Sequence, residues 1–186
     1  MARLILLNGP PGSGKSTLAG LYVEDHVLAL NLDIDRVRDL LGRWREQPMQ
    51  AGLLTRAMCL AMAHTHLGAG HDVVIPQYVA EVAFLQKVEQ VATDAGAAFH
   101  EIALLDSRDN ALRRFLTRAA RTGLPAHTDA HDQLQRAGGP PVLERMYDRL
   151  LEILADRPKV HVIRTEQGRP EDAYQALLRH VRSPRR

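Results

Sequence analysis

A short apolar run, Leu4-Ile5-Leu6-Leu7, leads almost directly into Gly9-Pro10-Pro11-Gly12-Ser13-Gly14-Lys15-Ser16-Thr17. Leu18, Leu21 and Tyr22 then follow at helical spacing. The nine-residue stretch fits G-x-x-x-x-G-K-[ST], a phosphate-cradling loop whose expected context is a strand before it and a helix after it. Both neighbours are of the required kind, so the chain must begin as strand, glycine-rich loop, helix.

Each residue type in the loop has a physical reason. Gly9, Gly12 and Gly14 reach backbone angles closed to other residues, and without a Cβ they let the main chain approach an anion. With Pro11 and Ser13 they form a loop whose N–H groups point inward at a helix start, where the helix dipole favours negative charge. Lys15 places a point charge against β- and γ-phosphates, and the Ser16 hydroxyl is the expected Mg²⁺ ligand. Thr17 is placed to cap the helix or to meet the α-phosphate.

The remaining chain continues the alternation. Val27 to Leu32 reads as strand two, ending at Asp33-Ile34-Asp35, and Arg36 to Arg45 as a short helix broken by Gln47-Pro48. A helix from Leu53 to Leu67 precedes strand three, Asp72 to Ile75, closed by Pro76 and Gln77. A helix carrying Val82, Leu85, Val88 and Val91 leads to strand four, Phe99 to Leu105. Ser107 is a good N-cap for a helix over 108–121. A stretch rich in Gly, Pro, His and Asp follows, over 122–141. The helix from Leu143 to Leu154 is expected to turn Leu143, Met146, Leu150, Leu151 and Leu154 inward. Strand five is Val160 to Ile163, and Pro170 opens a last helix. Alternating strands and helices imply an α/β fold with a parallel sheet and right-handed crossovers. The near-continuous apolar strands agree, because parallel strands are covered on both faces.

A chain of 186 residues suits one domain, here 1–182 with a frayed tail at 183–186. No apolar run approaches the roughly 20 residues needed to span a bilayer. The start runs straight into a strand, so no signal peptide is expected. A single cysteine, Cys59, cannot make an internal disulfide and points to a reducing cytoplasm. A net charge of +2 gives little support for a nucleic-acid or membrane partner.

Asp33 and Asp35 lie at the carboxyl end of strand two, the edge where open α/β sheets bind ligands. Period-two alternation would put both carboxylates on one side of an extended segment. Phosphoryl transfer needs positioning, charge neutralisation and a group to accept the acceptor's proton. Asp35 is assigned as base and acceptor-binding residue, and Asp33 as water-mediated partner of Mg²⁺. Either could instead cap the helix that follows. Arg114, Arg118 and Arg121 recur at spacings of four and three, which suits neutralising a triphosphate or pairing with Asp109 or Glu144. Arg38 and Trp44 suggest a surface for a planar or anionic acceptor, and Gln77 and Tyr78 could orient it by hydrogen bonds. His64, His66 and His71 do not make a zinc set.

In this order of motifs the chain resembles the small P-loop kinases. It looks closest to those grouped with chloramphenicol phosphotransferase, zeta toxin and the polynucleotide kinase domain. In these an aspartate after strand two activates an acceptor hydroxyl, which maps to Asp35 within Asp35-Arg36-Val37-Arg38. The Asp-x-Asp pair is also similar to shikimate kinase, although the glycine triplet after strand three is absent. The resemblance implies a three-layer α/β/α domain with five parallel strands in the order 2-3-1-4-5. It also implies a lid over 113–142, an acceptor region over 35–70 and adenine packing around 165–169. ATP, with GTP as the alternative, and Mg²⁺ are the implied cofactors.

The leading function is ATP-dependent transfer of a phosphate to a small-molecule hydroxyl or phosphate, on a nucleoside or nucleotide, a sugar or an antibiotic. The alternatives are a 5′-hydroxyl polynucleotide kinase and a nucleotide-switched regulatory module. The guanine-binding Asn-Lys-x-Asp and the transporter Leu-Ser-Gly-Gly-Gln tetrapeptide and pentapeptide are both absent. Monomer and homodimer are both open.

Overall fold

The computed structural model describes residues 1–108, 110, 113, 138–165 and 169–182. The strands are β1 (Arg3–Asn8), β2 (Leu30–Asn31), β3 (Val73–Pro76), β4 (Ala98–Leu105) and β5 (His161–Arg164). All pair in parallel in one five-stranded sheet of order β2-β3-β1-β4-β5. The main helices are α1 (Lys15–Asp25), α2 (Ile34–Asp39), α3 (Pro48–Gly68), α4 (Val82–Asp94), α5 (Pro140–Ala155) and α6 (Pro170–Arg182).

β1 is the central strand, and its alternation divides the core. Leu4 and Leu6 face a cluster with Cys59 and Leu67 of α3 and Leu85 and Val88 of α4. Ile5 and Leu7 face the other side, against Leu18 and Tyr22 of α1 and Leu177 of α6. All four β1 side chains are 0% exposed. Burying each contributes roughly 1.5–3 kcal/mol. Two covered faces explain why β1 reads as an unbroken apolar run rather than an alternating one. At the amino edge of the sheet, Asp72 accepts from Arg3 N at 2.8 Å and from the Tyr22 hydroxyl at 2.7 Å, tying β1 and α1 to the start of β3.

Several sequence expectations need correction. β2 is only Leu30–Asn31, because Val27 and Leu28 are 92% and 63% exposed and Leu28 adopts φ +60°, a turn conformation. The expected helix over 36–45 is split into α2 and a 3₁₀ turn at Trp44–Glu46, with Arg43 at φ +51° between them. Pro48 does not break structure but opens α3 at its first position, where a missing N–H costs nothing. In α5, Ile153 is buried while Leu151 is 41% exposed, and β5 lies one residue later than expected.

Candidate functional site

The carboxyl ends of β2, β3 and β1 lie side by side at one edge of the parallel sheet, and the loop after β1 leaves from that edge. Leu18 N donates to Gly14 O at 3.0 Å, and Gly14 sits at φ +97° as the residue before α1. The first turn of α1 holds no acidic residue and no side-chain cap, so its dipole is left uncompensated. Gly9 is packed where no Cβ fits. An added methyl would lie 2.5 Å from Ser13 Oγ and 2.6 Å from the Leu104 carbonyl. Ser13 is 0% exposed, and its hydroxyl has no partner among the described residues. Lys15 Nζ donates to the carbonyls of Gly9 and Pro10 at 2.8 and 2.9 Å. Its ammonium therefore lies over the loop itself. Ser16 and Thr17 are exposed at the helix start, and Pro11 and Gly12 are half-buried.

The acids are arranged differently from the sequence expectation. Asp33 is the N-cap of α2: its Oδ1 accepts from Asp35 N at 3.0 Å and from Arg36 N at 3.3 Å. Asp35 stands in the first turn of that helix, so strand alternation does not govern the pair. Asp33 Oδ2 lies 3.8 Å from Arg36 Nε. Asp35 faces Arg38 Nη1 at 3.1 Å. Partial removal from water pushes the Asp35 carboxyl above its usual range. Asp33 and Asp39 add to the push, and Arg38 and Lys15 oppose it. The Asp35 side chain is nevertheless 56% exposed, so solvent screens the effect and its direction is what matters. Cys59 lies buried in the field of the same two acids, and its thiol is pushed up to about 11, first by burial. It is a neutral packing group at neutral pH.

Trp44 is not an open acceptor platform. It is 7% exposed, and the guanidinium carbons of Arg38 and Arg45 stand 4.3 and 4.5 Å from its ring centroid. The indole instead holds Arg38 beside Asp35. Arg38 Nε is buried, with no partner among the described residues. Gln77 N donates to Leu7 O at 3.1 Å, and the Tyr78 hydroxyl donates to Met146 O of α5 at 3.0 Å. Thr165 is 5% exposed, and Arg169 pairs with Asp172 at 3.6 Å. Arg114, Arg118, Arg121 and positions 166–168 lie outside the described residues.

A sequence-family model described as an AAA domain, AAA_33, matches residues 4–141. The chain belongs to the AAA_33 family. Comparison with curated proteins gives no match. Solved structures share the fold over nearly the whole chain. One from Chloroflexus aurantiacus has TM-score 0.66 at 19% identity, covering 97% of this chain and 96% of that one. The tunicamycin resistance protein of Deinococcus radiodurans has TM-score 0.62 at 15% identity, covering 99% and 98%. The APS kinase of Mycobacterium tuberculosis, solved with AMPPNP and APS, has TM-score 0.60 at 20% identity, covering 98% of both chains. This AAA_33 domain thus has a kinase-like P-loop fold, with the strand order that the sequence resemblance implied.

One residue of this AAA_33 site escaped the sequence reading. Asn8, the last residue of β1, is 0% exposed and bonds both to the loop that follows and to Val79 beyond β3. The signal was a polar amide ending an apolar strand, directly before Gly9.

Proposed function

We propose that this AAA_33 domain is an ATP-dependent phosphotransferase that moves the γ-phosphate of a nucleotide to a hydroxyl of a small molecule. The observation that carries the reading is geometric: Lys15 lies over the loop that follows β1, and Asp35 stands in the first turn of α2 just after β2, at the same carboxyl edge of the parallel sheet. A polyphosphate held at the first turn of α1 would then share that sheet edge with a carboxylate open to solvent.

Asp35 then accepts the acceptor's hydroxyl proton as the oxygen attacks the γ-phosphorus. The bond from that phosphorus to the bridging oxygen breaks, and the nucleoside diphosphate leaves. The raised Asp35 carboxyl suits a base, because it holds a captured proton better than an ordinary aspartate. Arg38, held against Trp44, orients Asp35 through its Nη1. Gln77, just past β3, is proposed to orient the acceptor. The Tyr78 hydroxyl is engaged by α5, so Tyr78 would take part only through its ring. Arg118, with Arg114 and Arg121, neutralises charge on the transferring phosphate.

Hydroxyl and carboxylate oxygens are the donors Mg²⁺ prefers, and Ser16 and Asp33 Oδ2 fit that chemistry. Asp33 Oδ1 is engaged in capping. A bound Mg²⁺ would supply neutralisation of phosphate charge.

ADP release tests the reading, measured with and without a panel of nucleosides, nucleotides, sugars and antibiotics. A kinase accelerates with its acceptor. Turnover indifferent to every compound would favour a nucleotide-switched module instead.

A further inference from the structure

We infer that Asn8 is a positioning residue that makes the segment 77–79 respond to what the phosphate loop holds. The inference rests on the nucleotide reading above but not on phosphate transfer.

The main-chain ladder between β1 and β3 runs from Leu4↔Val73 to Leu7↔Pro76. Its last link beyond that register is Gln77 N to Leu7 O at 3.1 Å. There the chains would part, and the Asn8 side chain takes over. Its Nδ2 donates to Val79 O at 2.8 Å, and its Oδ1 accepts from Val79 N at 3.0 Å. One amide thus pairs with both polar groups of one residue, as a strand partner would.

The same Oδ1 also accepts from Gly9 N at 2.8 Å. Gly9 is the first residue of the phosphate loop and has no room to rearrange sideways, with Ser13 Oγ and Leu104 O against its absent Cβ. A shift of Gly9 toward a bound phosphate is therefore felt at the oxygen that also holds Val79 N. Val79 follows Gln77 and Tyr78 directly, and Tyr78 in turn is bonded to Met146 O of α5. Asn8 is the side chain that joins the loop to this acceptor-side segment.

A residue that only satisfied buried groups would alter stability and nothing else. A coupling residue also changes how segment 77–79 answers nucleotide. Amide hydrogen exchange of the full chain, with and without AMPPNP, separates the two. In the wild type AMPPNP slows exchange in both the 9–17 loop and segment 77–80. In Asn8→Ala, exchange at Val79 rises roughly tenfold without nucleotide, as two buried bonds are lost. AMPPNP still protects the loop of that variant but no longer segment 77–80. Equal protection of 77–80 in wild type and variant would overturn the inference, as would a wild type in which only the loop responds. Failure of the wild type to bind AMPPNP would overturn the nucleotide reading together with it. Should Asn8→Ala not fold, an AMPPNP titration of ¹⁵N-labelled wild type decides. The Asn8 side-chain amide and the Val79 amide shift with the same midpoint as Gly9, and a stationary Val79 resonance contradicts the coupling.

Discussion

Arg38 holds its Nη1 3.1 Å from Asp35 Oδ1, one helical turn away, with its guanidinium against the Trp44 ring. The pair sets how basic the carboxylate is. Partial desolvation and two neighbouring acids raise its proton affinity, and Arg38 lowers it. An aspartate acting as base works only when ionised, so kcat/KM falls as pH drops through its pKa. We expect that acid limb above the ordinary aspartate value of about 4. Arg38→Ala removes the opposing cation and moves the limb to higher pH. A pH–rate profile of both proteins checks this, and a limb that stays put would mean Arg38 does not act on Asp35.

Gly9→Ala is expected to damage nucleotide binding more than folding. Its Cβ would meet the Leu104 carbonyl at 2.6 Å, a main-chain atom that cannot swing away. The loop must shift, at a cost of about 1–3 kcal/mol. Fluorescent-nucleotide titration should show affinity reduced by roughly tenfold or more, with the melting transition still cooperative.

Trp44 is the single tryptophan, which makes it both a structural element and a probe. Truncation to Ala is expected to cost about 3–5 kcal/mol in denaturant unfolding. The wild-type emission is expected to lie blue of an exposed indole and to change when an acceptor engages Arg38. Emission typical of free indole would contradict the buried placement.

Much of this arrangement was legible in the sequence. Leu4 to Leu7, Gly9 to Thr17 and the later apolar strands fix the parallel sheet because their patterns are local. Val27 and Leu28 misled because exposed apolar residues look like strand residues until a neighbour is seen not to cover them. Pro48 carries two meanings, helix breaker and helix opener, and only its position in α3 selects one. Asp33 and Asp35 stand out in the sequence, but that one caps and the other is helical depends on α2 beginning at Ile34. Asn8 was missed because its partner, Val79, is 71 residues away. Trp44 was misjudged because the cations that cover it also look, in sequence, like an open basic surface.

Arg118→Ala is expected to lower turnover on the order of 10³-fold, the smaller end of what a charge-neutralising arginine supplies in phosphoryl transfer. Nucleotide affinity should fall far less. Steady-state kinetics beside equilibrium nucleotide binding separates the two effects, and equal losses would assign Arg118 to ground-state binding.

The most direct test of the account is Asp35→Asn, compared with wild type for transfer of labelled γ-phosphate to an acceptor found in the panel and for ATP affinity. The account predicts transfer reduced by roughly 10²–10⁴-fold with ATP binding nearly unchanged. Transfer at the wild-type rate, or loss of transfer and ATP binding in equal measure, would contradict it.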